Sequence, residues 1–347
     1  MRILFATGQG GGHFGPLIPF ARAYQRAGHD VLVAGPHSAA AMVERAGFAF
    51  SGVGEPHGRS AAWAPVFSGD GPGASFVIAE LFVGLDARAA LPGMLALTDE
   101  WRPDLIVRET CEFASAVAAE QFDVPLVDIG IHLDAGTDAG PLGALAADAL
   151  DEFGPHALRR DRPVLTCAPA ALGEADVQRF RLPGVRERID DSLIYVSLGS
   201  EIRSAALFRE LAEALAEVPK RVLMTLGHHV EARELGALPP NVRVERWVPQ
   251  AEVMPHTAAM VGHGGSGGTL QALAAGVPIA FLPLFVDGPA NAERVATLGA
   301  GIVATHATQV VELLDDPTYR AAAQRVAEEI HALPPIEHAV DVLSRSC

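Results

Sequence analysis

Short apolar runs alternate with amphipathic segments along the first part of the chain. Residues 2–7 predict a buried strand. Residues 16–27 predict a helix with Pro16 in its first turn and apolar side chains at helical spacing. A second strand at 31–34 and a second helix at 39–46 follow. This alternation is typical of a parallel sheet covered by helices.

The same alternation continues and then restarts in the second half of the chain. Before the restart, the pattern predicts a helix at 76–99 broken at Pro92, a strand at 104–107, a helix at 112–122 and a strand at 125–129. After it, the pattern predicts strands at 193–196, 222–226 and 242–244, and helices at 204–216, 319–330 and 336–344. Residues 54–75 and 132–142 lack periodicity and are predicted to be surface loops.

The restart indicates two domains. Each half opens with a strand, a turn of small residues and a helix, which fits an α/β fold of two Rossmann-like domains facing across a cleft. We expect an N-terminal domain at 1–185, a C-terminal domain at 190–330, and a final helix at 331–347 that packs back on the N-terminal domain. The boundary is expected within the segment 181–192.

The bulk composition restricts the class of partner. The 347 residues carry 26 Lys and Arg against 42 Asp and Glu, a net charge of −16, whereas nucleic-acid binding requires clusters of basic residues. Three unclustered cysteines, Cys111, Cys167 and Cys347, favour a reduced compartment. No window of about 18 residues is free of charged or helix-breaking residues, so we expect a cytoplasmic protein without a membrane span.

A glycine-rich turn, His263-Gly264-Gly265-Ser266-Gly267-Gly268-Thr269, is the strongest candidate for chemistry. It stands between an apolar run and a helix-like run. A strand that ends in small residues which then open a helix leaves backbone N–H groups available at the positive end of the helix dipole. We therefore expect this turn to bind an anion. A diphosphate is the simplest such ligand, with His263 as a side-chain donor.

The same turn has a second interpretation. Residues 264–268 satisfy the G-x-S-x-G pattern of the α/β-hydrolase nucleophile elbow, which would make Ser266 a nucleophile. The other members of a triad would be Asp287 and one of His306, His331 or His338. An esterase is therefore an alternative function, although it leaves the segment 247–250 and the turn around His13 unexplained.

A further glycine-rich turn surrounds His13. Gly10, Gly12 and Gly15 fit the dinucleotide pattern G-x-G-x-x-G. The second strand, however, ends in Ala34-Gly35-Pro36 instead of an acid that would hold a ribose, which disfavours NAD or FAD. His13 lies at the carboxyl end of the first strand, where open α/β sheets bind ligands. An imidazole there suits the removal of a proton from a hydroxyl group; a polar turn residue without a catalytic role is the alternative.

Two segments resemble signatures of the family 1 glycosyltransferases, which have the GT-B fold. The segment GGHFGPLIPFARAYQRAGHDV resembles the family's N-terminal signature. The segment from Trp247 to Gly301 resembles its donor-nucleotide signature, and the matching residues in order are Trp247, Pro249, Gln250, His263, Gly265, Gly276, Pro278, Asp287, Asn291 and Ala292. One position departs from the pattern, because Gly288 stands where the family usually has Gln.

The resemblance implies roles for residues of the first half. His13 would remove the acceptor's proton, and a carboxylate after the segment WRPDLIV would orient His13. Glu109 stands where the family usually has Asp, and Glu112 is a competing candidate; either could instead be an ordinary acid at a helix start. The implied reaction is an inverting sugar transfer that uses no metal and no cofactor besides its nucleotide-sugar substrate.

The resemblance also implies a donor site. Trp247 would stack on the base, the backbone of Val248 would read the base edge, and Asp287 would accept hydrogen bonds from sugar hydroxyls. Ser200 would touch a phosphate, with helix capping as its alternative role. The expected donor-binding residues are Gly12, Ser200, Trp247, Val248, Gln250, His263, Gly265, Ser266, Gly267 and Asp287.

The implied donor is a TDP- or UDP-sugar. Gly288 removes a polar partner that the family offers the sugar, which suggests a donor lacking a hydroxyl, such as a deoxysugar. Similar bacterial members decorate antibiotics and other natural products, so we expect a small-molecule acceptor contacted by the loops at 54–85 and 132–142. The sequence leaves open a homodimer and, as another function, an NDP-sugar epimerase on the same fold.

Overall fold

The chain forms two compact units. The first consists of Met1–Pro183 together with Leu333–Cys347, and the second of Gly184–Ala332. The computed structural model describes residues 1–68, 76–134, 146, 153, 162–173, 176–284 and 286–343.

A parallel sheet forms the centre of the first unit. Its strands β1 to β7 are, in chain order, Arg2–Ala6, Asp30–Pro36, Ala49–Gly54, Leu105–Glu109, Leu126–Ile129, Val164–Thr166 and Gln178–Arg179. They lie side by side in the order β3-β2-β1-β4-β5-β6-β7. Ile3 and Phe5 are buried in one apolar cluster and Leu4 and Ala6 in another. Both faces of β1 are therefore covered, which explains why the strand is apolar at successive positions.

Helices cover this sheet. They are α1 Gly11–Arg26, α2 Ala40–Arg45, α3 Arg59–Trp63, α4 Arg88–Trp101 and α5 Ala114–Phe122, with 3₁₀ turns at His37–Ala39, Ala64–Ser68 and Ala170–Leu172. A π-helical segment, Val77–Ala87, runs directly into α4. By length and composition alone, Val77–Trp101 could cross a membrane, but Leu81 and Phe82 within it belong to the core of this unit. The absence of a membrane span stays a prediction.

Some predicted elements of this unit are wrong. α1 begins at Gly11 and not at Pro16, because Gly10, with a φ of 104°, ends the loop so that glycines form the first turn. Pro92 lies inside α4 instead of breaking it. Pro92 has no N–H to donate to the carbonyl of Arg88, four residues earlier. Arg88 is also the residue at which the π-helical segment ends and α4 begins.

The predicted loop at 54–75 is helical over 59–68, where the buried side chains of Trp63 and Val66 anchor the chain in the core. Residues 69–75 of this loop, and residues 135–142 of the second predicted loop, lie outside the described residues.

The second unit contains another parallel sheet. Its strands β8 to β13 are Leu193–Ser197, Arg221–Thr225, Val242–Glu245, Thr257–Gly262, Ile279–Phe281 and Gly301–Val303. Its helices are α6 Ala205–Ala214, α7 Gln250–Val253, α8 Ser266–Ala274, α9 Gly288–Thr297, α10 Val310–Asp315 and α11 Pro317–Ala332, with 3₁₀ turns at Ala232–Leu235, Met254–His256 and Ala307–Gln309. The strand order is β10-β9-β8-β11-β12-β13. Val196, Val261 and Phe208 belong to its core.

Both sheets have the same topology. In each sheet the first strand is central, and the second and third strands follow on one side of it. The fourth strand lies on the other side of the first strand. The strand order therefore reverses between β1 and β4 and again between β8 and β11. Open α/β sheets bind ligands at the carboxyl ends of the strands at such a reversal. The predicted fold of two Rossmann-like α/β domains is confirmed.

The last helix, α12 His338–Leu343, belongs to the first unit. Ile336 and Ala339 are buried in the cluster that also contains residues of α1. Glu337 forms an ion pair with Arg26 at the end of α1, with 2.7 Å between Oε1 and Nη2. The chain leaves the first unit after Pro183 and returns to it at Leu333.

Candidate active site

His13 and Glu109 meet at the strand reversal of the first unit. His13 lies in the first turn of α1, just after β1, and Glu109 is the last residue of β4. The Nδ1 of His13 is 2.9 Å from Oε1 of Glu109. The His13 side chain is 18% exposed and that of Glu109 is fully buried. The imidazole is thus accessible while its carboxylate partner is shielded from water.

Backbone groups hold Glu109 in place. The N–H of Gly8 donates to Oε1 at 3.2 Å, and the N–H of Cys111 donates to Oε2 at 2.6 Å. Burial raises the pKa of Glu109, but the charge and hydrogen bond of His13, the Cys111 N–H and the charge of Arg108 outweigh burial and leave the pKa lowered. An anionic Glu109 holds a proton on Nδ1 of His13 and leaves Nε2 as the nitrogen that can accept one.

Glu112 occupies a different position. Its carboxylate accepts hydrogen bonds from the N–H of Ser115, at 3.1 Å to Oε2, and from the Ser115 hydroxyl. It therefore binds a free N–H group in the first turn of α5. Burial raises the pKa of Glu112, although the Ser115 bonds and the Arg108 charge oppose the shift. Of the two acids considered from the sequence, the structure brings Glu109 to His13 and gives Glu112 a structural contact.

A buried ion network supports the turn after β4. Arg108 donates from Nε to Oδ1 of Asp128 at 2.7 Å and from Nη1 to the carbonyl of Glu112 at 2.7 Å. Arg162 donates to the other oxygen of Asp128 at 2.5 Å. These bonds fix the turn that carries the Cys111 N–H. No sequence pattern pointed to this network, because its members are far apart in the chain.

Other residues that the sequence did not indicate surround His13. The ring of Phe82 meets the imidazole edge-on, with 5.4 Å between centroids. Asp86 and Arg59 form an ion pair with 3.1 Å between Oδ1 and Nε. Phe82 and Asp86 belong to the π-helical segment and Arg59 begins α3, so their proximity depends on tertiary packing.

The glycine-rich turn of the second unit follows β11, as predicted. Gly264 has a φ of 92°, and α8 begins at Ser266. A Cβ on Gly265 would lie 2.4 Å from Nε2 of His263, and a Cβ on Gly199 would lie 3.1 Å from the same atom. Glycine at both positions thus lets the His263 imidazole pack closely against the backbone.

Burial lowers the pKa of His263, although the charge of Asp287 and a hydrogen bond with the Ser197 backbone oppose the shift. His263 is therefore a neutral hydrogen-bonding group at physiological pH. A bound diphosphate would raise its pKa again, because a nearby negative charge favours the imidazolium.

A polar network joins the starts of α8 and α9. Ser266 Oγ donates to Oδ2 of Asp287 at 2.6 Å. Asn291, which is buried, donates from Nδ2 to the same oxygen at 2.9 Å and to the carbonyl of Gly264 at 2.8 Å. The hydroxyl of Ser266 is thus directed at an acid, as a positioned polar group. The hydrolase alternative needs a histidine side chain in contact with the hydroxyl of Ser266. One of the three candidate histidines, His306, instead caps the turn Ala307–Gln309.

Gly288 is in close backbone contact with the turn. A Cβ on Gly288 would lie 2.6 Å from the carbonyl oxygen of His263, and a Cβ on Gly264 would lie 2.5 Å from the Gly288 carbonyl oxygen. Glycine at 288 thus lets the start of α9 approach the turn. Val286, two residues earlier, has a φ of 53°, a conformation that costs a β-branched residue of order 1–3 kcal/mol.

The remaining donor candidates lie after neighbouring strands. Trp247, which follows β10, is 67% exposed, as a platform for a base requires. Val248 is half-buried. Gln250 begins α7, and its Nε2 is 3.6 Å from where a Cβ of Gly268 would lie. Gly267 is exposed in the first turn of α8.

Ser200 follows β8 and donates to Oε1 of Glu201 at 3.1 Å. Ser204, not Ser200, caps α6, since its Oγ accepts from the N–H of Leu207 at 3.2 Å. Capping is therefore the wrong role for Ser200, and phosphate contact stays a prediction. Gly12 lies in the first turn of α1 and is exposed. Within the described residues, no cluster of three or more His, Cys, Asp or Glu side chains could hold a metal ion.

Known proteins resemble this chain over most of its length. Residues 73–167 and 209–344 match the family models of the erythromycin biosynthesis protein CIII-like N-terminal and C-terminal domains. The L-demethylnoviosyl transferase of Streptomyces niveus is 32% identical over 95% of this chain and 94% of its own length. The glycosyltransferase SnogD from Streptomyces nogalater is 28% identical, with a TM-score of 0.80 over 99% of both chains. The Streptomyces sp. SF2575 glycosyltransferase SsfS6, complexed with thymidine diphosphate, is 23% identical and has a TM-score of 0.82 over 99% of both chains, which is a likeness of fold.

Proposed function

Because the chain belongs to the family 1 natural-product glycosyltransferases, we propose that it is an inverting enzyme that transfers a deoxysugar to a small-molecule acceptor. Within this family the chain is similar to the erythromycin biosynthesis protein CIII, and it has the GT-B fold. The donor is a TDP- or UDP-sugar, and neither a metal nor a further cofactor takes part. The observation that carries this proposal is the 2.9 Å contact between an accessible His13 and a buried, anionic Glu109.

The first unit supplies the base. The acceptor hydroxyl gives its proton to Nε2 of His13 as its oxygen attacks C1 of the sugar. The positive charge that develops on the imidazole is stabilised by Glu109, whose pKa is lowered by His13 itself, the Cys111 N–H and the charge of Arg108. The bond between C1 and the phosphate oxygen breaks as the new bond forms, so the configuration at C1 inverts.

The second unit supplies the donor site. The leaving nucleoside diphosphate carries negative charge, which the N–H groups of Gly265, Ser266 and Gly267 at the start of α8 stabilise, together with His263. Ser200 contacts a phosphate from the neighbouring strand end. Trp247 stacks on the base and the Val248 backbone reads its edge, as the motif of the family implies.

The donor sugar is a deoxysugar. Asp287 meets its hydroxyls and is held by Ser266 and Asn291. At Gly288, the position of the family's Gln, the backbone lies against His263 and leaves no room for a side chain. One polar partner of the sugar is therefore missing, which supports a donor that lacks the corresponding hydroxyl.

The test incubates the protein with TDP-linked glucose and TDP-linked deoxysugars in the presence of a panel of aromatic and macrocyclic alcohols, without added metal. Nucleotide release and the product mass are followed, and NMR assigns the anomeric configuration of the product. His13→Ala should lower the rate of transfer strongly, whereas a change of the exposed His331 to Ala is the matched control. Retained configuration would contradict inversion. A rearranged nucleotide-sugar formed without acceptor would identify an epimerase.

A further inference from the structure

A line of side chains leads away from His13 within the first unit. Phe82 contacts the imidazole, and Trp63 meets the Phe82 ring with 5.2 Å between centroids. The guanidinium of Arg59 lies over the Trp63 ring, 4.8 Å from its centroid. Phe82 comes from the π-helical segment, and π-helical turns are frequent at functional sites. The proposed mechanism uses none of these contacts.

The line ends in the ion pair of Arg59 and Asp86. Arg59 donates from Nε to Oδ1 and from Nη2 to Oδ2 of Asp86, both at 3.1 Å. The two side chains are 19% and 20% exposed. An ionised carboxylate has about four lone-pair positions, so a two-pronged contact with arginine leaves it able to accept further hydrogen bonds. The pair as a whole is neutral.

The pair is electrostatically coupled to the dyad. Burial raises the pKa of Asp86 above its usual value, and the charge and hydrogen bond of Arg59 offset this rise only in part. Smaller effects come from His13, which lowers the pKa, and from Glu109, which raises it. Asp86 therefore lies close enough to His13 and Glu109 for the charges of these groups to affect one another.

A small cavity lies beside the pair. Asp86, Arg59 and Phe82 line it together with Gly8 and Cys111, whose N–H groups hold Glu109. Its volume is about 30 Å³. A water molecule needs at least about 10–15 Å³ of such space, so this cavity holds a single hydroxyl-sized group and not a ring.

We propose that Asp86 is a specificity-determining residue for the acceptor, accepting a hydrogen bond from a second hydroxyl group that sits in this cavity while the neighbouring hydroxyl faces His13. This proposal rests on the proposed function. A neutral hydroxyl fits better than an ammonium group, because Arg59 already balances the charge of Asp86. The acceptor class is therefore a molecule with two adjacent hydroxyl groups.

The experiment compares naphthalene-2,3-diol with 2-naphthol as acceptors. The two probes share one ring system and differ only in the second hydroxyl group, which is the group that the cavity would hold. A site built to bond a hydroxyl through a charged group should favour the diol by about tenfold to a hundredfold in kcat/KM. Asp86→Ala should bring the ratio of the two kcat/KM values close to one, since the diol loses its extra partner. Glu80→Gln, at an exposed acid of the same π-helical segment, should keep the wild-type ratio.

A merely structural role of Asp86 would lower kcat/KM for both alcohols by the same factor and keep their ratio, which would overturn the proposal. A wild-type ratio near one would overturn it as well. If the protein still binds TDP or UDP but transfers sugar to neither alcohol, the proposal is also overturned. Failure to bind either nucleotide would instead remove the proposed function, because the nucleotide site lies in the second unit. Asp86→Leu, which is close to Asp in size but accepts no hydrogen bond, repeats the comparison if Asp86→Ala does not fold.

Discussion

The Nδ1 of His13 lies 2.9 Å from Oε1 of Glu109, and both oxygens of this carboxylate also accept backbone N–H groups. Three donors thus converge on one buried acid, which fixes its orientation without any bound molecule. The pair is preorganised to receive a proton on the remaining nitrogen of His13.

His13→Ala should lower kcat by about 10²–10⁴-fold, the usual contribution of a general base. Glu109→Gln should also lower kcat strongly, because a neutral amide cannot stabilise the imidazolium. Glu112→Gln is the matched control, since this acid contacts Ser115 and not His13. Steady-state kinetics with a saturating donor measure all three. Equal losses in the two glutamine variants would contradict the assignment of Glu109.

The same two acids should affect stability with opposite dependence on pH. The pKa of Glu109 is lowered from its ordinary value of 4.5, so its stabilisation is present above that value and is lost as the pH falls through the folded pKa. The pKa of Glu112 is raised, so ionisation destabilises the fold as the pH rises from 4.5 through the folded pKa.

Denaturant unfolding between about pH 3 and 8 should therefore show Glu109→Gln less stable than wild type at neutral pH, with the difference shrinking in acid. Glu112→Gln should gain stability relative to wild type as the pH rises, because an amide can still accept from Ser115. Parallel curves for the two variants would contradict the charge states assigned to these acids.

Sequence reasoning located the parts of the site that depend on local order. His13 and His263 could be found because each stands at a glycine-rich turn between a strand and a helix, where topology alone places a ligand. Glu109 could be proposed from the resemblance to the family, because it stands where the family usually has Asp after the segment WRPDLIV. The sequence could not show that His13 contacts Glu109 and not Glu112, because this contact depends on how the Gly8 and Cys111 N–H groups hold the Glu109 side chain.

Contacts between distant segments were not readable in the sequence. Asp86 meets Arg59 only because α3 and the π-helical segment pack together, and the region of α3 reads as a loop. Asn291 appeared only as a motif residue, although it joins Asp287 to Gly264. The departure at Gly288 was visible, but its cause, the backbone of His263, was not.

Gly288→Ala should destabilise the second unit, because its Cβ would lie 2.6 Å from the His263 carbonyl oxygen. Gly267→Ala is the matched control, since nothing lies within 4 Å of the Cβ that it adds. The control should leave Tm unchanged or raise it, because alanine favours a helix by about 1 kcal/mol over glycine. Equal melting temperatures for both variants, measured by circular dichroism, would contradict the close backbone contact.

Trp247→Ala should weaken nucleotide binding by about tenfold to a hundredfold, the cost of losing a base-stacking ring. Its Tm should stay at the wild-type value, because the side chain is 67% exposed. Trp247→Phe retains a ring and should retain most of the affinity. Unchanged TDP and UDP affinities in the alanine variant, measured by calorimetry, would remove Trp247 from the donor site.

The most direct test of the central claim is calorimetric titration of the protein with TDP and with UDP, without metal. His263→Ala is titrated in parallel, with His256→Ala as the control, since His256 pairs with Asp190 and lies outside the glycine-rich turn. We expect wild type and the control to bind one nucleotide more tightly, and His263→Ala to lose most of that affinity. Binding of neither nucleotide by the wild-type protein would contradict a nucleotide-sugar transferase.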